Sequence, residues 1–142
     1  MGYPGNDAAN VIAELRNKIN NFILSRLSDA GITGLTLSHG AIFTSIYLYG
    51  PQTMQSLSKN INRNKSTVTI LTRKLESRGY VRREKDMLDK RSSIIHLTEK
   101  GFRFREVFDQ ISNELVDRLW GDKSPRERRR FEDELKSMLE RL

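Results

Sequence analysis

The chain has 142 residues, of which 37% are hydrophobic and 30% are charged, a balance typical of a single soluble globular domain. It contains no cysteine, which excludes disulfide bonds, thiolate metal sites and cysteine-based redox sensing. No apolar run approaches the roughly 20 residues that a membrane-spanning helix requires, and the first residues show no signal-peptide pattern. We therefore expect a cytoplasmic protein with no membrane partner.

The positive charge is concentrated in one segment of the chain. Lys and Arg total 25 against 18 Asp and Glu, which gives a net charge of +7. Residues 1–60 carry a net charge of +1, residues 61–105 carry +8 and residues 106–142 carry −2. Such a local positive field attracts a polyanion, either nucleic acid or anionic lipid. On charge alone, a solvated basic face without a partner is the alternative.

The first half of the chain predicts four helices. Apolar residues at three- and four-residue steps predict a helix over 8–29, and a second helix follows the N-cap Thr36. A short third helix is capped by Thr53, and a fourth helix over 65–78 is capped by Asn64. These two close helices, separated by a short polar break, predict a helix-turn-helix.

The pattern changes in the second half of the chain. Two β-prone runs, 80–85 and 92–97, flank six mostly polar and charged residues, which predicts a β-hairpin with a charged tip. Thr98 caps a long helix after the hairpin. Ser124 begins the last helix, where a capping box coincides with the first-turn residue Pro125.

Long apolar stripes mark the first helix and the last two helices. They consist of Ile12, Leu15, Ile19 and Phe22 in the first helix, and of Leu115, Leu119, Phe131, Leu135, Met138 and Leu139 in the last two. The stripes pack either on the central segment of the same chain or against a second copy. A DNA-binding dimer holds its two reading heads about one helical turn apart, so we favour a homodimer.

The helix over 65–78 has two different faces. Val68, Leu71 and Leu75 fall on one face and are expected to pack on the preceding helix. The opposite face carries small hydroxyl residues, which let a helix lie close to base edges, together with Arg73, which reaches a phosphate or a guanine. The N-caps Thr53 and Asn64 direct backbone N–H groups towards the place of a phosphate. An ordinary amphipathic surface helix is the alternative.

The hairpin favours the DNA-binding interpretation. Lys90 and Arg91 suit a minor groove, whose narrow negative channel favours arginine. Asp89 does not favour DNA directly. It either orients the Arg91 side chain by a hydrogen bond or closes the turn.

From Leu35 to Gly101 the sequence resembles the MarR family of transcription regulators. The resemblance rests on the motifs at 66–69, 75–83, 89–92 and 97–101 and on the spacing between them. It implies one MarR-type domain over 1–142, with a winged helix-turn-helix over 35–100 and dimerisation helices over 1–34 and 101–142. It also implies a homodimer on a palindromic operator and, in many members, a small-molecule effector.

Positions that match the family motifs imply DNA contacts from the recognition helix and the wing arginine Arg91, with Asp89 as its support. Ile70 departs from the usual basic or polar residue, so it either meets a thymine methyl group or lowers affinity. The candidate DNA-binding residues are Thr53, Asn64, Lys65, Ser66, Thr67, Thr69, Ile70, Arg73, Asp89, Lys90 and Arg91.

We therefore expect a mainly α fold with a small β-hairpin wing (α+β) and a ligand-responsive repressor that binds double-stranded DNA. We expect no enzymatic activity, cofactor or metal, because His39 and His96 lie far apart in sequence without a nucleophile pattern nearby. Two alternatives stay open. One is a winged-helix module that binds protein or RNA, and the other is a small-molecule-binding protein with weak DNA affinity.

Overall fold

The computed structural model describes residues 7–142, in which six helices and three strands form. The elements are α1 (Asp7–Asp29), α2 (Leu37–Tyr49), β1 (Gln52–Thr53), α3 (Met54–Ile61), α4 (Lys65–Ser77), β2 (Val81–Lys85), β3 (Ser93–Leu97), α5 (Glu99–Trp120) and α6 (Pro125–Glu140). One compact unit ends at Ile111, and a second unit spans Ser112–Leu142. The expected mainly helical fold with a small β wing is confirmed.

Side-chain caps set the starts of the predicted helices. Thr53 Oγ1 accepts a hydrogen bond from the Ser56 N–H at 3.1 Å and begins α3. Ser124 and Glu127 form the predicted capping box at the start of α6, with hydrogen bonds of 3.2 and 3.3 Å. The backbone N–H of Ser124 also lowers the pKa of Glu127. The polar residues singled out in the sequence therefore fix where these helices begin.

His39 completes a capping box at the start of α2. The Thr36 N–H donates a hydrogen bond to His39 Nδ1 at 3.0 Å, which requires an unprotonated Nδ1. Burial, together with the positive charges of Lys74 and Arg78, lowers the pKa of His39 to about 4. His39 is thus a neutral structural cap near neutral pH.

The three strands form one antiparallel sheet in the order β1-β3-β2. β2 and β3 are the predicted hairpin, paired from Val81 with Leu97 to Lys85 with Ser93. The third strand, β1, was not predicted because two residues are too few to show an alternating pattern. β2 is an outer strand, and four of its five residues are exposed and charged (Arg82, Arg83, Glu84 and Lys85).

An aromatic cluster occupies the core where the first part of α5 packs on α2. The Phe43 ring lies 4.7 Å from that of Phe104 and 5.7 Å from that of Tyr80, centroid to centroid. The Tyr47 hydroxyl donates a hydrogen bond to the Gly101 carbonyl at 2.9 Å, and burial raises the pKa of this tyrosine. The predicted inner face of α4 is also buried, at Val68, Leu71, Thr72 and Leu75.

The segment 97–101 docks on the turn that joins α4 to β2. Thr98 N–H donates to the Tyr80 carbonyl at 3.1 Å, and the Thr98 hydroxyl donates to the Gly79 carbonyl. Lys100 Nζ donates to the Arg78 carbonyl at 2.7 Å and lies 4.4 Å from the centre of the Tyr80 ring. The motif therefore positions both the end of α4 and the start of the hairpin.

Candidate nucleic-acid interface

A tight turn over 62–64 joins α3 to α4. Asn62 has a left-handed backbone with φ of 53°, a conformation that asparagine tolerates better than most residues, and it ends α3. The Ser58 hydroxyl donates to the Arg63 carbonyl, and Asn64 Oδ1 accepts from the Thr67 N–H at 2.8 Å. These contacts set the angle between the two helices, and Asn64 is the N-cap that the sequence predicted.

The outward face of α4 combines hydroxyl groups, cations and one apolar residue. Lys65, Ser66 and Arg73 are exposed, and the Ile70 side chain is 67% exposed. Thr67 and Thr69 are half-buried. The Ser66 hydroxyl donates to Asn64 Oδ1, and the Thr69 hydroxyl donates to the Lys65 carbonyl, both at 2.8 Å. Each hydroxyl oxygen keeps acceptor capacity for an outside donor.

The wing is the β2–β3 hairpin with its loop over 86–92. Asp89 Oδ1 accepts a hydrogen bond from the Arg91 backbone N–H at 3.0 Å. Of the two roles that the sequence left open for Asp89, this contact is the closing of the turn. Lys90 and Arg91 are both exposed. The loop thus projects two cations from a backbone that the aspartate holds in a turn.

An ion pair joins the outward helix to the wing. Arg83 Nε in β2 lies 3.0 Å from Glu76 Oε2 in α4. Within the sheet, Glu84 Oε2 lies 3.2 Å from Arg82 Nη1 and 3.0 Å from His96 Nε2, the latter without hydrogen-bond geometry. No residue pattern predicted the Glu76–Arg83 contact, because residues seven apart meet here only through the turn at Gly79.

The cations of the basic segment divide into two groups. Five are engaged within the chain: Arg78 with the Thr33 carbonyl, Arg82 with Glu84, Arg83 with Glu76, Lys100 with the Arg78 carbonyl, and Arg105 with Asp109. In contrast, the other eight cations of residues 61–105 make no ion pair with any residue between Asp7 and Leu142: Arg63, Lys65, Arg73, Lys74, Lys85, Lys90, Arg91 and Arg103. Six of these eight lie on α4 (Lys65, Arg73, Lys74) or the wing (Lys85, Lys90, Arg91), which are the elements predicted to contact DNA.

The residues predicted to form a dimer interface are not buried within the chain. Ile12, Leu15, Leu119, Phe131, Met138 and Leu139 are exposed, and Ile19, Phe22, Leu115 and Leu135 are half-buried. In α6 no residue at all is buried. The boundaries assigned to these regions, 1–34 and 101–142, stay predictions, and residues 1–6 lie outside the described residues.

Neither a metal site nor a membrane span is found in the described part of the chain. Between Asp7 and Leu142 no group of three or more His, Cys, Asp or Glu side chains is arranged to hold a metal ion. Over the same residues no helix is both long and apolar enough to cross a bilayer.

Helix, turn, helix and β-hairpin on a shared core define the fold as a winged helix-turn-helix. The MarR family model matches residues 35–93. The uncharacterized HTH-type transcriptional regulator YkoM of Bacillus subtilis is 31% identical over 101 residues, which cover 71% of this chain and 66% of YkoM. A MarR transcriptional regulator from Methanosarcina mazei is 25% identical with a TM-score of 0.77, covering 96% of both chains.

The chain belongs to the MarR family. A further solved structure, overoxidized AbfR bound to DNA, is 26% identical with a TM-score of 0.76 and covers 96% of this chain and 92% of that chain. The chain spans just under two thirds of the length of YkoM.

Proposed function

We propose that the chain is a sequence-specific transcription regulator that binds double-stranded DNA through α4 and the wing. The observation that carries this proposal is the placement of the unengaged cations Lys65, Arg73, Lys90 and Arg91 on two elements that the Glu76–Arg83 ion pair joins. In this architecture a recognition helix lies in the major groove, and arginine is favoured in a narrow minor groove. The relative AbfR is bound to DNA in its solved structure.

Each predicted contact has a role in this arrangement. Ser66, Thr67 and Thr69 approach base edges with small hydroxyl groups, and Arg73 binds a guanine or a phosphate. The N-termini of α3 and α4, capped by Thr53 and Asn64, face phosphates. Asp89 holds the wing turn from which Lys90 and Arg91 reach the minor groove.

The regulator acts as a homodimer whose interface is formed by α1 and the C-terminal helices. Support comes from the exposed apolar side chains on these helices, such as Ile12 at 45%, Phe131 at 46% and Leu139 at 72%. Apolar surface of this extent is unfavourable in water and is covered when a second copy packs on it. A two-fold symmetric protein matches a palindromic operator.

The regulator is a ligand-responsive repressor of cytoplasmic location, without enzymatic activity. Support for these points is membership of the MarR family. The effector is a small molecule.

Selection of bound duplexes from a random DNA pool, followed by titration against salt, tests the proposal. We expect the affinity for the selected duplex to fall steeply as salt rises, because Lys and Arg displace counterions from phosphates. Arg91→Ala should weaken binding by about 1–3 kcal/mol and reduce the slope of log affinity against log salt by about one.

Two outcomes would contradict the proposal. A pool that yields no enriched duplex, with a protein or RNA retained instead, would favour the alternative winged-helix module. Salt-independent duplex binding would remove phosphate neutralisation as the source of affinity.

A further inference from the structure

The apex of the wing is apolar. Met87 is 92% exposed and Leu88 is 98% exposed, side by side in the loop between β2 and β3. Among the described residues, the terminal Leu142 is the one large hydrophobic residue that is more exposed than Leu88. Single exposed apolar residues are common, but two adjacent ones at the end of a projecting hairpin form a small apolar tip.

Hydrogen bonds fix the backbone of this tip. Asp86 Oδ1 accepts from the Leu88 N–H, and Asp89 Oδ1 accepts from the Arg91 N–H, each at 3.0 Å. The Asp86 N–H donates to the Ser92 carbonyl at 3.1 Å and closes the loop. The backbone under the apolar pair is therefore ordered before any contact forms, which lowers the entropic cost of binding.

The charges around the tip favour a nucleic-acid groove. Lys85, Lys90 and Arg91 are exposed beside it, and none of them makes an ion pair within residues 7–142. Asp86 and Asp89 directly flank the apolar pair, but each carboxylate accepts a backbone hydrogen bond, and the three cations leave residues 85–91 with a net charge of +1. A positively charged hairpin with an apolar apex complements a minor groove, where phosphates line the rims and apolar wedges such as Leu and Met insert between base steps. The Glu76–Arg83 ion pair connects the same hairpin to the recognition helix.

We propose that Met87 and Leu88 form an apolar wedge that enters the DNA minor groove beside Arg91 and partly unstacks a base step. This inference rests on the proposed DNA-binding function. Arg91 favours the narrow groove of a stiff A-tract, whereas a wedge favours pyrimidine–purine steps such as TA, which unstack at lower cost. In this proposal, Arg91 responds to the width of the minor groove, and Met87 and Leu88 respond to how easily a base step unstacks.

The test uses the full chain and one selected duplex, made with three flanks at the expected wing position: TA-rich, A-tract and GC-rich. The variant Met87→Ser/Leu88→Ser should bind the TA-flanked duplex about tenfold more weakly and change little on the A-tract flank. Its salt slope should equal that of the wild type because no charge is removed. Arg91→Ala should show the converse, with the larger loss on the A-tract flank.

A fluorescent base analogue at the TA step gives a second measurement. We expect its fluorescence to rise with the wild-type protein, because unstacking relieves quenching, and to stay low with the double variant. Leu48→Ser is the matched control, since Leu48 is 69% exposed on α2 outside the wing, and it should behave as the wild type.

The outcomes separate the wedge from the proposed function. If the wild type enriches no duplex, the DNA-binding function fails and the wedge fails with it. If the wild type binds but the double variant keeps the wild-type flank preference and fluorescence, the wedge alone is overturned. A double variant that changes the oligomeric mass in light scattering would also overturn it, because the tip would then be a protein contact.

Discussion

Ile70 is the apolar residue on an otherwise polar, outward face of α4. Its side chain is 67% exposed, and neither neighbour on that face, Ser66 or Arg73, covers it. An apolar side chain in a major groove meets the 5-methyl group of thymine, which no other base presents. Of the two alternatives that the sequence leaves open for this position, we favour this contact.

Replacing thymine by deoxyuridine at each position of the selected site tests this contact. At one position the wild type should lose about 0.8 kcal/mol, roughly fourfold in affinity, because one buried methyl group is removed. Ile70→Ala should be insensitive to the same replacement. An Ile70→Ala protein that binds at least as tightly as the wild type would favour the alternative in which Ile70 lowers affinity.

His39 makes the stability of the fold sensitive to acid. Its pKa of about 4 in the folded chain lies below its ordinary value of 6.5, so the unfolded chain binds more protons between these pH values. Stability is therefore complete above about pH 6.5 and falls as the pH decreases towards 4. We expect a loss of about 1 kcal/mol between about pH 7.5 and about pH 5.5, measured by urea unfolding.

His39→Gln should remove this acid sensitivity, because glutamine completes the same capping box without titrating. His96→Gln is the matched control, since the chain has two histidines, and it should keep the sensitivity. Equal acid sensitivity in all three proteins would exclude the buried cap as its source.

At the scale of elements, the motif at 97–101 packs on and hydrogen-bonds to the turn between α4 and β2. A Cβ atom at Gly101 would meet the Tyr80 carbonyl oxygen and would lie 2.9 Å from Leu97 Cδ2. The glycine is thus required by the close approach of α5 to Tyr80. This motif, one of those on which the sequence resemblance rests, here makes a packing contact.

Gly101→Ala should destabilise the fold by about 1–3 kcal/mol in urea unfolding, because the added methyl group overpacks a rigid contact. Gly40→Ala is the matched helical control. A Cβ atom there would lie 3.7 Å from Phe108 Cε2, an ordinary contact, so alanine should stabilise α2 by about 0.5–1 kcal/mol. Equal effects of the two substitutions would contradict the overpacking explanation.

Periodicity and capping chemistry predicted the helices and the hairpin well, because both signals are local in sequence. The starts of α3, α4 and α6 follow from Thr53, Asn64 and Ser124. Contacts between elements could not be predicted in this way, because they join residues that are distant in sequence. The strand β1 depends on pairing with β3, and the exposure of Met87 and Leu88 depends on how the loop projects, so neither was visible in a pattern of residue types.

At the scale of the whole molecule, the available cations and the exposed apolar side chains lie on different elements. The +8 segment contains α4 and the wing, where six cations make no ion pair within the described residues, while the terminal helices leave apolar side chains exposed. These are the surfaces that we propose bind a polyanion and a second copy of the chain.

Ile12→Glu/Leu15→Glu should halve the mass measured by light scattering, because charges at a packed apolar interface oppose association. Asn10→Glu/Asn17→Glu is the matched control, since both asparagines are exposed on the opposite side of α1. It should leave the mass unchanged. A double variant at Ile12 and Leu15 that keeps the wild-type mass would exclude this part of α1 from the interface.

The outer position of β2 also bears on whether two copies of the chain pair through their wings at high local concentration. An unpaired strand edge is a template on which another chain can add a strand, and long ribbons of this kind precipitate. In β2 four charged residues, Arg82 to Lys85, follow one another along that edge. A neighbouring wing would have to remove water from all of them, so we expect that two copies do not pair along this edge.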